Sequence, residues 1–501
     1  MKLETYKILK ATSLFGSVQG LNILINIVRT KLVALLLGPT GVGLNSIYNE
    51  TRELIHSTTN LGLDISGIKN ISQTFERLTA TTDDAERNAL QQQLANDVCL
   101  LRSWVAILAL FGTVVTIMLA RPLSYLTFQN PDHTWGYVIL SPVVGLSTLA
   151  CCEMSVLKGI RKLKALATIS VLTALVGMCV SVPIYFFMGI SGVLPALIAI
   201  FTASLIIVTA FSWHQFAPKY DFSPIYLKLG TPLLKVGTAF MLTNLIDNLI
   251  QLLVQSYLNG RGSLETVGLF STNATITTTY AGIFFAAMGN DYFPRLSGIF
   301  DDVKARISTV HNQSELLLAL LPPAIVAMMF SLPWLVPLLF SNEFIGVTPL
   351  TQLALIALLF RTLHLPFTYA PLAAGDSKTF FILNGIQAAD VLLVIPGYHY
   401  AGLTGIGIML IATNIIDCIC SLACARYKYH IPLSRKIMLL ATTQLALLSA
   451  SYLCVNTLEG INYWLVAAVM TIISAAISVI VVISKCLSQG RGVIARTWCW
   501  H

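Results

Sequence analysis

Uncharged apolar runs of about eighteen residues, at 165–182, 193–210 and 465–483, are each long enough to cross a hydrocarbon layer as a helix. Apolar stretches separated by short polar breaks continue along the chain. They predict about fourteen spans, near 11–37, 42–65, 99–120, 136–157, 165–187, 192–213, 231–258, 265–290, 313–338, 347–373, 378–399, 402–424, 436–455 and 462–484. The expected fold is all-α and integral to a membrane.

Polar residues interrupt some spans in helical register. Gln19, Asn22, Asn26 and Arg29 share one face of the first span. In the second, Asn49, Glu53, His56, Asn60 and Asp64 form a stripe, with Arg52 on the same side. The seventh carries Asn244, Asn248, Gln251 and Gln255, with Asp247 adjacent, and the eighth Thr272, Asn273, Thr275, Thr277, Thr278 and Thr279. Spans three to six offer much less. Polar groups inside a membrane are costly and face a cavity or a partner helix, so these stripes are candidate cleft walls.

The same landmarks occur twice. Gly189-Ile190-Ser191-Gly192 returns as Gly402-Leu403-Thr404-Gly405, and Leu123, Leu126, Phe128 and Asn130 return as Leu335, Leu338, Phe340 and Asn342. Gly159 pairs with Gly375, and Val42-Gly43-Leu44 with Val267-Gly268-Leu269. Four pairs in one order at nearly one separation indicate two copies of a unit, and parallel repeats in an apolar chain point to a transporter with its site between the copies. The expected division is an N-lobe at 1–215, a linker at 216–230, a C-lobe at 231–430, and an appended pair of spans with a tail at 431–501. The polar stretch 66–98 reads either as an interface-lying helix or as a plain connector.

Of 501 residues, 55% are hydrophobic and 11% charged, against roughly 25% charged in soluble domains. The net charge of +8 does not point to nucleic acid, because of where the cations lie. With the N-terminus inside, Lys158, Arg161, Lys162, Lys164, Lys219, Lys228, Arg295, Lys304, Arg306, Arg426, Lys428, Arg435, Lys436, Lys485, Arg491 and Arg496 fall on the inner side. The outer loops hold little beyond Arg121 and Arg261. This asymmetry predicts cytoplasmic termini. The ten cysteines show no metal spacing. No GxSxG, Walker loop or nucleotide fingerprint occurs, so no enzyme and no cofactor is expected. Coupling to protons, sodium or the membrane potential stays open, with Glu53, Asp64 and Asp247 as ion-coupling candidates. Their alternative role is internal pairing with Arg29 or Arg52.

Arg29 lies nine residues before Gly38, roughly 13 Å from that end at 1.5 Å per residue. It is a cavity cation, a partner of Glu50 or Glu53, or a snorkelling residue. Lys31 is about 200° round the helix from it and suits an interfacial anchor. A guanidinium facing a cavity fits a phosphate, since its planar fork donates bidentately. Arg52, His56, Arg361 and His364 are candidates to add to such a site, whereas Asp390 and Asp417 read as packed acids.

The segment Arg29-Thr30-Lys31-Leu32-Val33-Ala34-Leu35-Leu36-Leu37-Gly38-Pro39-Thr40-Gly41-Val42-Gly43-Leu44 resembles the start of the Wzx-type polysaccharide flippases. These belong to the MOP superfamily, with lipid II flippases and MATE exporters. Phe293-Pro294-Arg295-Leu296-Ser297 followed by Asp301-Asp302 is similar to the same family's cytoplasmic turn. The resemblance implies two six-helix lobes around a V-shaped central cavity lined by helices 1, 2, 7 and 8, plus two C-terminal helices. It further implies flipping of an undecaprenyl-pyrophosphate-linked oligosaccharide, an O-antigen or other surface-polysaccharide repeat unit, across the bacterial inner membrane. Membrane lipids and the polysaccharide polymerase and chain-length machinery are the implied partners. In related lipid II flippases a first-helix arginine engages the pyrophosphate. Arg29 occupies the matching place before Ala34 and Gly38, but Thr30 stands where that pattern has an acid. On this reading Arg29 holds the pyrophosphate with Arg52 and His56 assisting, while Asn22, Asn26, Asn244, Gln251 and Asn273 face sugar hydroxyls. The rivals are a MATE-like cation-coupled drug exporter, expected to have a net acidic cleft, and a membrane glycosyltransferase or ligase, expected to have large charged outer loops.

Overall fold

The computed structural model describes the backbone of residues 2–498 and the side chains of 20–484, apart from 236, 239, 240, 243, 279–281, 283, 284, 286–291 and 390. Gln19, Thr279 and Asp390 therefore lie outside the described side chains. The chain folds as α1 (Lys2–Thr59), α2 (Leu63–Ala80), α3 (Asp84–Phe128), α4 (Thr134–Gly159), α5 (Leu163–Met188), α6 (Val193–Trp213), α7 (Pro224–Lys228), α8 (Thr231–Arg261), α9 (Leu264–Ala274), α10 (Ala281–Gly298), α11 (Val303–Leu339), α12 (Thr348–Thr368), α13 (Ala370–Ala373), α14 (Ser377–Asp390), α15 (Val394–Tyr429), α16 (Arg435–Thr457) and α17 (Gly460–Trp498). Among the described residues, nine helical stretches are long and apolar enough to cross a membrane. Leu163–Trp213 and Ser377–Tyr429 each hold two of the expected spans and Gly20–Thr59 takes in most of the first two, whereas 231–258 and 265–290 are not among the nine. The protein is a multi-pass integral membrane protein.

Two compact units emerge from the contacts, residues 1–268 with 339–341, and residues 269–338 with 342–501. The first unit thus includes α8, which packs on α1, α2 and α3. In the second unit α12 packs along α15, and the last two helices are joined by Ser474 Oγ donating to Gln444 Oε1 at 2.8 Å, both residues fully buried. A buried polar pair of this kind fixes the register of two otherwise apolar helices.

The backbone supports the repeat and adjusts one of its pairs. Gly189 (φ 56, ψ −134) and Gly402 (φ 59, ψ −141) turn the chain with almost the same dihedral angles, a region that residues with a β-carbon avoid. The Gly159–Gly375 pairing is displaced. Gly375 has φ 71, but in the first copy the left-handed residue is Arg161, at φ 55, and Gly159 is the last residue of α4. Pairing Arg161 with Gly375 gives a separation of 214, nearer the 213 of the Gly189 and Gly402 turns. The turns before α3 and α11 both lead into aspartate-capped helices: Asp83 accepts from the Ala85 amide, and Asp302 from those of Lys304 and Ala305. The Asp301-Asp302 element is thus a cap, and Arg295 donates to Gln313 of α11 at 3.2 Å.

Two expectations change and one is filled in. The second span does not run to residue 65, because Leu61 (φ 51) and Gly62 (φ 67) end α1. Residues 66–98 are helical, in α2 and the start of α3, with Leu63 and Ile71 fully buried in a core of Leu94, Val98, Leu101 and Val156. The linker is strapped to α3. Arg102 Nη1 donates to the Phe216 and Ala217 carbonyls at 3.2 and 3.0 Å, and the Asp221 amide to Ser103 Oγ at 2.9 Å. Trp104 Nε1 reaches the Leu227 carbonyl at 3.0 Å and Tyr226 the Asn96 carbonyl at 2.8 Å.

At the turn before α14, Lys428 stands 2.5 Å from Asp376 Oδ2, the Thr379 amide and hydroxyl donate at 3.1 and 2.8 Å, and the Tyr429 hydroxyl at 2.8 Å. The Lys428 ammonium first, then these donors, hold the Asp376 carboxyl well below the usual carboxylate range. A depressed native value adds stability above the unfolded value of about 3.9, and the gain is lost as pH falls towards the native value. Detergent melts should therefore show this contribution unchanged from neutral pH to about 5 and eroding below about 4. Asp376→Asn should melt slightly earlier at neutral pH and lose part of the acid slope. An unaltered slope would contradict the assignment.

Candidate functional site

The candidate residues fall into separate groups. On the arm of α1 before Gly38, Asn26 Nδ2 donates to the Asn22 carbonyl and Oδ1 at 2.9 and 3.2 Å, and Asn22 Nδ2 donates to Ser170 Oγ of α5 at 2.8 Å. This stripe is laid against α5. Arg29 follows it: a β-carbon placed on Gly177 of α5 would stand 3.6 Å from Arg29 Nη1, and Tyr185 is an electrostatic neighbour. Among the described residues Arg29 makes neither an ion pair nor a hydrogen bond. The pairing with Glu50 or Glu53 is not formed. Glu53 is held by Arg52 at 2.6 Å, and the charged neighbours of Glu50 are Glu53 and Arg52.

Arg52, on the arm after Gly38, lies over the Phe201 ring of α6 at 4.6 Å with its side chain 13% exposed. The same point above Gly177 that adjoins Arg29 is 3.9 Å from Ile200, the residue before Phe201. Arg29 thus lies against α5 and Arg52 against α6, two helices that pack on each other. Gly38 (φ 62, ψ −177), followed by Pro39, makes the bend.

His56 is buried and its Nδ1 is 2.9 Å from Thr148 Oγ1 of α4, so this nitrogen is engaged in packing. Electrostatically it joins Glu53, Arg52 and Asp64 in one cluster. Asp64 sits in the first turn of α2, where an acid suits the helix dipole, and accepts from Asn60 Nδ2 at 3.2 Å. The five-residue stripe of the second span is therefore split after His56, with Asn60 and Asp64 beyond the helix end. On α8, Asn244 and Asp247 are exposed and Gln251 half-buried. Asn273 belongs to the second unit, 3% exposed, at the end of the α-helical turns that lead into a π-helical stretch, Thr275–Tyr280. Such stretches recur at functional sites. Arg361 and His364 are also in the second unit. Arg361 lies 5.4 Å over Phe285 and faces the charge of Asp417, and His364 Nδ1 is 3.2 Å from Thr368 Oγ1.

Sequence reasoning passed over Arg102 and Glu153. Arg102 Nε and Nη2 donate to Glu153 Oε1 and Oε2 at 2.9 and 2.8 Å, while Ser212 and Trp213 donate to the same carboxylate at 2.5 and 3.2 Å. The available signal was two isolated, opposite charges in adjacent apolar spans, each needing a partner. The pair bounds a cavity of about 540 Å³ lined by Leu149, Cys152, Leu205, Ile206 and Trp213. Its donors and acceptors are spent on one another, so its role is structural.

The family model described as "Polysaccharide biosynthesis protein" matches residues 90–349, just over half of the chain. The chain belongs to this family. Among solved structures, this polysaccharide biosynthesis protein is similar to "Lipid II flippase MurJ, inward closed conformation", at 15% identity and a TM-score of 0.66 over 95% of this chain and 99% of that one. An inward-facing multidrug resistance MATE family transporter of the MOP superfamily is similar at 16% identity and a TM-score of 0.65, over 84% and 96%. The MATE multidrug transporter DinF-BH is similar at 18% identity and a TM-score of 0.58, over 85% and 96%. These likenesses establish the MOP fold. A search of curated proteins finds no match.

Proposed function

We propose that this polysaccharide biosynthesis protein is a flippase for an undecaprenyl-pyrophosphate-linked oligosaccharide, working by alternating access in the bacterial inner membrane with both termini in the cytoplasm. The observation that carries the reading is Arg29. It is a guanidinium within a membrane-spanning helix, set against Gly177 of α5, with no carboxylate partner among the described residues. Left uncompensated, such a charge is costly, and a pyrophosphate supplies the missing anion bidentately. Arg52 assists while tethered by Glu53. His56 borders the cluster, with one ring nitrogen given to Thr148. Asn22, Asn26, Asn244, Gln251 and Asn273 serve sugar hydroxyls, and Glu53, Asp64 and Asp247 are the candidates for ion coupling. The two repeat-defined lobes, 1–215 and 231–430, supply the moving halves. The polymerase and chain-length machinery would receive the product.

A second reading, a cation-coupled exporter, is favoured by the carboxylates Glu53 and Asp64 beside His56 and Glu50 beside Glu53. Reconstitution separates the two. Proteoliposomes should translocate a labelled lipid-linked oligosaccharide, read as protection from an impermeant glycosidase, and should not accumulate an organic cation on an imposed gradient. The reverse result would install the exporter reading.

A further inference from the structure

The arm of α1 after Gly38 meets α8 and the start of α9 at four levels within the first unit. At one end a methyl on Gly43 would collide with the Leu264 carbonyl and lie 2.9 Å from the Gly268 nitrogen. A methyl on Gly268 would collide with the Pro39 carbonyl and lie 3.2 Å from the Gly43 nitrogen. Next, Ser46 Oγ donates to Gln255 Oε1 at 3.2 Å, and further along Asn248 Nδ2 donates to Ser57 Oγ at 3.0 Å. At the far end a methyl on Gly62 would collide with the Gly237 carbonyl, and one on Gly237 with that of Leu61. Backbone therefore lies on backbone at both ends, with only hydrogen between. Gly43 and Gly268 are also the repeat-equivalent glycines, so the two copies touch through the same residue of each.

Two further features make this seam suited to opening. The arm is one unbroken helix bounded by backbone breaks, Gly38 (φ 62) on one side and Leu61–Gly62 (φ 51 and 67) on the other, so it can tilt as a body. The bonds between its ends are single hydroxyl–amide contacts, which water replaces at little cost when the helices part. An apolar zipper would lose its packing outright.

We propose that Gly43·Gly268 and Gly62·Gly237 are the outer and inner closing points of the transport path, each sealed because no side chain separates the two backbones. The assignment of outer and inner rests on the alternating-access reading above. Gly62 is unsuitable for the test, since its positive φ strains any replacement. Gly237 and Gly268 are suitable.

The experiment uses the full chain with its native cysteines replaced and a single reporter, Asn49→Cys, midway along the arm. An impermeant thiol reagent is applied to right-side-out and inside-out vesicles. Gly237→Ala should raise labelling from the cytoplasmic face about tenfold, because a methyl against backbone shifts the closed–open balance by that order, and leave the outer face unchanged. Gly268→Ala should do the reverse. Labelling that is unmoved by either change, or moved on the same face by both, overturns the proposal. Should the alanine variants not reach the membrane, the disulfide pairs Ser46→Cys/Gln255→Cys and Ser57→Cys/Asn248→Cys decide. Each should stop export when oxidised and restore it on reduction, and export through either crosslinked protein overturns the proposal. Labelling needs no substrate, so a failed oligosaccharide assignment and a failed gate assignment give different results.

Discussion

Glu153→Ala should leave little folded protein in detergent extracts. The substitution strands Arg102, 2% exposed, in the protein interior with its anion removed. Breaking a buried pair in this way costs about 3–5 kcal/mol, a large share of the stability of about 5–15 kcal/mol typical of a domain. Arg102→Ala should be equally severe for a second reason: it also removes the donor to the Phe216 and Ala217 carbonyls and loosens the strap over α3. Replacing both by methionine discharges the site and should recover much of the loss, though not the strap. The readout is the monodisperse fraction and melting temperature of each variant. A stable Glu153→Ala protein would show that the pair is solvated and that Arg102 is not locked.

Arg29→Ala, by contrast, should reach the membrane in normal amount and lower glycan export by about 10- to 100-fold, the order expected for losing hydrogen bonds to a charged group of about 1.5–3 kcal/mol. Arg29→Lys keeps the charge without the planar fork, so export should fall between the two. Lys31→Ala, off the stripe, should be mild. Normal surface glycan with Arg29→Ala removes Arg29 from the site, whereas lost protein would assign it to folding.

Hydropathy was enough to place most of the spans, because burial in lipid demands long apolar helices whatever their partners, but not to bound the second or to mark 231–258 and 265–290 as apolar enough. The repeat was legible as well, in landmarks that hold the same conformation, as at Gly189 and Gly402. Periodicity failed where the backbone stops being helical. The stripe from Asn49 to Asp64 assumed one helix, and Leu61 and Gly62 end it. Spacing also gives a face without saying which neighbour fills it. Asn22 faces Ser170 and His56 faces Thr148, contacts between residues more than ninety positions apart in the chain, beyond the reach of any local pattern. Arg102 and Glu153 were visible as letters but not as partners for the same reason.

The central claim is that the chain carries a lipid-linked oligosaccharide between leaflets. Deleting the gene and extracting the polyprenyl-linked lipids tests it most directly. The account predicts accumulation of a pyrophosphate-linked repeat unit accessible only from the cytoplasmic face, with surface glycan lost and restored by the wild-type gene but not by Arg29→Ala. An unchanged lipid pool, or an accumulated intermediate already exposed on the outer face, would contradict it.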